Sequence, residues 1–372
     1  MKIERVQAFP LTARFETPQV TSQHSFTRAS ICLVRVDTDD GITGVGECLA
    51  RFTPEIHAHY INEWFAPLLK GQDPFSVGEL WSQMRDVNHG RSGGPLFEAI
   101  AGVDIALWDI MGKSVGLSVG KLLGGHNRRK VPAYASSIMV NEDEAAAGER
   151  LSKQGFKAVK MKIAGSVGSQ VDRVRRLREA VGDDVDILID ANYCYTEAEA
   201  LHFAQAISQY HVTWFEEPID PEDRAGHLRL AAASPVALAA GESEYTTRAT
   251  VDLIGSAAIK FVQPDVTRLG GITEARHMAI TGHTFSLQFA PHVGLSGIIC
   301  LAATVHLSSA MPNLYAYECM VTPSPFREDL AVEPVGLAEQ LVDGYAMVPD
   351  RPGLGIELDW DAVEKLRERK GK

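Results

Sequence analysis

The chain has 372 residues, with 36 Lys and Arg against 48 Asp and Glu, for a formal charge of −12 at pH 7. Hydrophobic residues make up 45% and charged residues 23%, an ordinary globular composition. The acidic balance excludes bulk electrostatic binding to nucleic acid or to an anionic membrane surface. The length exceeds one small domain and suits a large barrel with a smaller companion. The apolar stretch Ile298–Thr304 falls far short of the ~20 residues of a membrane span. The N-terminus, Met1-Lys2-Ile3-Glu4-Arg5, lacks the apolar core of a signal peptide. Five scattered cysteines (Cys32, Cys48, Cys194, Cys300, Cys319) form no CxxC pair. A reduced, cytoplasmic protein is the expectation.

In chain order, Ser30–Asp37 alternates, with Cys32, Val34 and Val36 on one face. Asp39-Asp40-Gly41 is a hairpin turn leading into a strand over Ile42–Cys48. Thr53 and Pro54 have the residue types of an N-cap and a first helical position. Leu96, Ala99, Ile100, Val103, Leu107 and Ile110 predict a helix over Leu96–Met111. Strands followed by helices predict an α+β capping domain over residues 1–125. From 126 to 325, short strands alternate with amphipathic helices such as Gln170–Val181 and Thr196–Gln209. The expected strands are Val131–Ala135, Lys157–Ile163, Val185–Asn192, Val212–Glu217, Val236–Gly241, Ala258–Pro264, Thr284–Pro291 and Leu314–Glu318. Eight strands with intervening helices predict a parallel α/β barrel. A doubly wound sheet is the rival, but no GxGxxG follows an early strand. The Pro- and Gly-rich segment 326–372 is too short for a domain and is expected to pack back on the first one.

Charge recurs where apolar barrel strands should finish. Lys160-Met161-Lys162, Asp190-Ala191-Asn192, Glu216-Glu217, Glu242, Asp265, His292 and Glu318 close seven successive strands, 23 to 28 residues apart. Such residues converge on the catalytic face of a parallel barrel. Asp190, Glu216 and Glu242 would face one point, where like charges raise each other's pKa unless a cation intervenes. An all-oxygen set without Cys or His suits Mg²⁺ rather than zinc. Lys160 and Lys162 share a face by period-two alternation. Two lysines side by side near a dication are expected to lose protons easily, which makes a base usable at neutral pH. Asp265 next to His292 would orient the ring and raise its basicity. Glu318, if kept protonated, could donate to a developing oxyanion. Taken singly, each of these residues has an ordinary structural explanation, such as a capping acid, a snorkelling lysine or a loop histidine. Their shared register favours chemistry. Opposed acid/base groups around a metal suit removal of a proton next to a carboxylate.

These residues, together with Gly46-Glu47-Cys48, Asp104-Ile105-Ala106-Leu107-Trp108-Asp109, Gly270-Gly271 and Pro291, resemble the enolase superfamily and specifically its mandelate racemase subgroup. The resemblance spans nearly the whole chain. It implies a modified TIM barrel, (β/α)7β, under an α+β capping domain. It also implies Mg²⁺ on Asp190, Glu216 and Glu242, Lys162 as one base and His292–Asp265 as the other, and usually a homo-oligomer. A lysine where Asp265 stands would mark the muconate-cycloisomerase-like subgroup. The segments Phe326–Leu330 and Pro352–Gly355 are similar to those of acid sugar dehydratases and of galactarolactone cycloisomerase. The expected partner is therefore a small-molecule carboxylate substrate. Dehydration of an aldonate or aldarate to a 2-keto-3-deoxy acid leads the readings. Aldarolactone cycloisomerisation, racemisation or epimerisation, and binding of a sugar acid without turnover are the alternatives. Asn192 and the cap residues His24, Arg51 and Phe52 are substrate-binding candidates, with Arg28, His89 and Arg91 behind them.

Overall fold

The computed structural model describes residues 1–89, 93–125 and 129–368. The candidate Arg91 and the expected boundary residue His126 lie outside these. The chain opens with an antiparallel sheet of β1 (Ile3–Val20), β2 (Ser25–Thr38) and β3 (Thr43–Leu49), in that spatial order. Gly41 makes the β2–β3 turn at φ +86, in the left-handed region the turn requires. β1 was not expected from the sequence. Its alternation is blurred by an irregularity in pairing between Arg14 and Gln19. The helix at Pro54–His59 begins at Pro54 as expected, but the Thr53 side chain makes no capping hydrogen bond. The long helix Pro95–Val115 covers the sheet. A Cβ at Gly46 would lie 1.8 Å from the carbonyl oxygen of Gly102, so only glycine lets β3 approach that helix.

Eight parallel strands follow: β4 (Lys130–Ile138), β5 (Ala158–Lys162), β6 (Asp186–Asp190), β7 (Val212–Glu216), β8 (Leu238–Ala240), β9 (Phe261–Val262), β10 (Gln288–Phe289) and β11 (Tyr317–Met320). They pair in sequence, and β11 returns beside β4. The ring closes where Phe289 N donates to Asn313 O at 2.8 Å and Tyr315 N donates to Phe289 O at 2.8 Å. This is a (β/α)7β barrel with an α+β cap. The strands β8 to β10 are shorter than expected. Gly241 sits at φ +135, and Pro264 and Pro291 bring no N–H to continue a ladder. Below the site the barrel is filled by Trp214, whose ring packs at 5.3, 4.9 and 5.4 Å against Tyr134, Phe261 and Tyr315.

The C-terminal segment touches both units. The strand β12 (Tyr345–Met347) pairs antiparallel with the start of β4, which the sequence did not foretell. The helix Trp360–Glu368 lies on β1, with Trp360 5.6 Å from Phe9. No helix of the described residues is long and apolar enough to cross a membrane.

His306, on the helix Ile298–Ala310, ties this segment to the barrel. Its Nδ1 accepts from Gly120 N at 3.2 Å and its Nε2 donates to Leu354 O at 3.0 Å, so the ring is held neutral. Burial lowers its pKa to about 4. The unfolded chain therefore binds the extra proton first as pH falls. The stability from this group is complete above about pH 6.5 and is lost between about 6.5 and 4, some 3 kcal/mol in all. We expect urea midpoints of His306→Gln to vary less steeply than wild type across that window. Parallel profiles would rule the linkage out.

Candidate active site

Parallel pairing sets the site. Lys162 lies opposite Asp190, and Asp190 opposite Glu216, at the C-terminal ends of β5, β6 and β7. Glu242 follows β8. A Cβ on the preceding Gly241 would lie 2.8 Å from Gln263 N, so glycine is needed for the chain to turn inward there. Each of the three acids offers a carboxylate oxygen within 4.8 Å of the others, and all three are buried. Oε2 of Glu242 has no hydrogen-bond partner among the described residues, although His292 Nε2 stands 3.1 Å away. Glu216 is held from behind: Gln263 Nε2 and Trp214 Nε1 donate to its Oε2 at 2.8 and 3.1 Å.

The two lysines differ. Lys160 is fully enclosed, with its ammonium 2.7 Å from Glu318, 2.9 Å from Glu216 and 3.6 Å from Asp190. It does not line the cavity. Lys162 does line it, and donates to Asp190. The expected lowering of both lysine pKa values is not what the protein's own groups produce. Burial favours the neutral amines, but Glu216 and Glu318 around Lys160, and Asp190 beside Lys162, push both above the usual range.

His292 and Asp265 meet as expected. Nδ1 donates to Asp265 Oδ2 at 2.8 Å, while Nε2 faces the cavity, 3.1 Å from Glu242 and 3.9 Å from Glu318. Burial favours the neutral ring, but Glu242, then Glu318 and Asp265, raise its pKa to about 9. Asp265 is fixed in turn, its Oδ1 accepting from Thr267 N at 2.7 Å and Thr267 Oγ1 at 2.6 Å. This loop and the segment after His292 are also pinned from the cap. Leu49 N donates to Thr267 O at 3.1 Å, and buried Glu47 accepts from Gly297 N at 2.6 Å and Cys300 N at 3.2 Å.

Glu318 is not the protonated donor anticipated from the sequence. It accepts from Ser136 Oγ at 2.6 Å, Val293 N at 2.6 Å and Gly294 N at 3.3 Å, besides Lys160. Burial alone would raise its pKa, but Lys160 and His292 drive it far below the carboxylate range. It is a carboxylate, with no proton to give.

Asn192, His24 and Arg51 line the cavity. Phe52 does not. It is half exposed and stacks on the lining residue Phe26, with 5.9 Å between centroids. Sequence reasoning missed Gln19, Ser136, Ser137 and Arg268, which line the cavity too. Ser136 and Ser137 lie just past the expected end of the first barrel strand. Arg268 lies three residues past Asp265 on the same loop, a position that the strand-end rule alone would have nominated.

In this buried cluster five carboxylates (Asp190, Glu216, Glu242, Asp265, Glu318) outnumber the two lysines and one histidine. That excess, the all-oxygen donor set and the unpartnered Glu242 oxygen fit a hard dication. Residues 4–124 match the Mandelate racemase / muconate lactonizing enzyme, N-terminal domain, and residues 142–362 match the family described as Enolase C-terminal domain-like. The chain belongs to the mandelate racemase subgroup of the enolase superfamily. It is an enzyme of that superfamily, 32% identical to D-galactarolactone cycloisomerase of Agrobacterium fabrum over 99% of both chains. It is 33% identical to arabinonate dehydratase of Saccharolobus solfataricus over 91% of this chain and 90% of that one. Among solved structures, a racemase from Streptomyces coelicolor with bound magnesium has a TM-score of 0.89 and 28% identity, covering 98% of this chain and 99% of that one. The superfamily's (β/α)7β barrel and cap are those seen here.

Proposed function

We propose that this superfamily member removes the α-proton of a sugar acid and expels the β-hydroxyl, giving a 2-keto-3-deoxy acid. The observation that carries the reading is that Lys162 and His292 Nε2 open into one cavity from β5 and β10, three strands apart around the barrel, with the three-acid cluster at the same face. Asp190, Glu216 and Glu242 would hold Mg²⁺. When bound, the ion supplies positive charge to the substrate carboxylate and engages the Asp190 charge that otherwise keeps Lys162 protonated. Neutral Lys162 takes the α-proton, and the electron pair left behind delocalises into the carboxylate as an enediolate. The enediolate collapses with loss of the β-hydroxyl, and His292, protonated at Nε2, gives its proton to form water. The resulting enol tautomerises to the keto acid. Asp265 holds the ring and its tautomer, while Lys160 and Glu318 act on one another and on Glu216 as fixed counter-charges.

Aldarolactone cycloisomerisation is the second reading, favoured by the end-to-end match to a cycloisomerase. It starts with the same proton removal, but a ring carboxylate leaves instead of water. Incubation of an acid sugar and lactone library with Mg²⁺, read by semicarbazide for keto acids and by proton NMR in D₂O, separates the outcomes. A keto acid supports dehydration, a ring-opened or unsaturated isomer supports cycloisomerisation, and α-deuteration alone indicates racemisation or epimerisation. No reaction across the library overturns the proposal.

The metal assignment has its own test. Saturating Mg²⁺ at about 100 times its Kd should stabilise the protein by about 2.7 kcal/mol. The resulting rise in Tm should vanish in Glu242→Gln. An equal rise in the variant would place the ion elsewhere.

A further inference from the structure

The cavity contains polar atoms that have lost water and gained nothing from the protein. Nε of Arg51 and Nε of Arg268 are shielded and donate to no group among the described residues. Oδ1 of Asn192 and Oε1 of Gln19 are shielded and accept from none of the described residues. All four side chains line the same cavity as Lys162 and His292. Arg51 stands out, because it makes no hydrogen bond or ion pair among the described residues, although its charge is felt at Glu242. Arg268 has one tie, its Nη2 donating to Tyr245 OH at 3.0 Å with the guanidinium 4.8 Å from that ring. The two arginines come from different units, Arg51 from the loop after β3 and Arg268 from the loop after β9, so they converge only here.

A half-buried guanidinium whose Nε is closed off from water without a partner is best satisfied by an anion. Its planar fork matches a carboxylate and matches a terminal hydroxymethyl group poorly. The carboxylate next to the reacting carbon belongs at the Asp190–Glu216–Glu242 end, where a cation would meet it. With Glu242 committed to that cation, a second anion on the substrate would complement Arg51. The two amides in the same cavity wall suit hydroxyls, which donate and accept and so serve either amide orientation.

We infer that the substrate is a polyhydroxy dicarboxylate, an aldarate or its lactone, with the distal carboxylate on Arg51, Arg268 supporting it, and the intervening hydroxyls on Gln19 and Asn192. This rests on the sugar-acid reading above and narrows it, since an aldonate carries no second carboxylate. Recognition is through a charge-assisted bidentate pair at the cavity wall, so its loss falls mainly on KM and on the choice between acids.

The test compares C6 aldarates and their lactones with C6 aldonates of the same configuration, for wild type, Arg51→Met and Arg51→Lys. Wild type should prefer the diacids in kcat/KM. In Arg51→Met that preference should collapse by about 100-fold or more, mostly through KM, and Arg51→Lys should restore part of it. Tm measurements with galactarate and galactonate give a readout independent of turnover, the diacid shift being lost in Arg51→Met. A wild type that prefers aldonates, or an Arg51→Met enzyme with unaltered preference, overturns the diacid assignment while the sugar-acid reading stands. Turnover of neither class overturns both.

Discussion

Asp265→Asn should lower turnover by about 10⁴-fold, the cost of the same exchange behind a catalytic histidine in a hydrolase triad. The hydrogen bonds make the outcome specific. Thr267 N and Oγ1 both donate to Oδ1 of Asp265, so the asparagine carbonyl will take that place. Its amide nitrogen is then turned to His292 Nδ1, where a carboxylate oxygen now accepts at 2.8 Å. Two donors cannot face each other, so Nδ1 becomes the acceptor and the single proton of a neutral ring moves to Nε2. That ring is neither a useful acid nor a base toward the cavity. Because Lys162 is untouched, α-proton exchange into D₂O should persist while product formation stops. The ¹⁵N shifts of the imidazole should report the tautomer change without any substrate. Product formation within tenfold of wild type would remove the dyad from the reaction.

The second large effect separates the two lysines. Lys162→Ala should abolish α-proton exchange, a loss of about 10²–10⁴-fold for a general base, with secondary structure retained. Lys160→Met should act on the fold instead. It would leave the carboxylates of Glu216 and Glu318 buried without their shared partner, a change of about 3–5 kcal/mol. Thermal melts beside D₂O exchange distinguish the two. Exchange at the wild-type rate in Lys162→Ala would exclude it as the base, and an unchanged melt in Lys160→Met would exclude its counter-ion role.

Much of the site was legible because a parallel barrel places its strand ends on one face and repeats every strand–helix unit. Asp190, Glu216, Glu242, Asp265 and His292 follow from that spacing, and the structure brings them together. Charge state did not follow, since it depends on how many neighbours a group keeps. Lys160 and Lys162 look alike in sequence, yet one touches three carboxylates inside the barrel and the other opens to the cavity. Glu318 receives four donors that no spacing displays. β1 was obscured by its irregular pairing, and the lining residues Ser136, Ser137 and Gln19 lie at or near strand ends whose positions local patterns do not fix.

The attachment of β3 to the barrel has a further consequence. Leu49 holds the loop that carries Asp265, Glu47 holds the segment that follows His292, and Arg51, two residues beyond Leu49, faces the substrate cavity. Within five residues the chain passes from holding the proton-transfer machinery in place to sampling what enters. Sequence change after Leu49 can therefore retune which acid is accepted without shifting His292, whereas change before it would disturb the chemistry for every substrate alike.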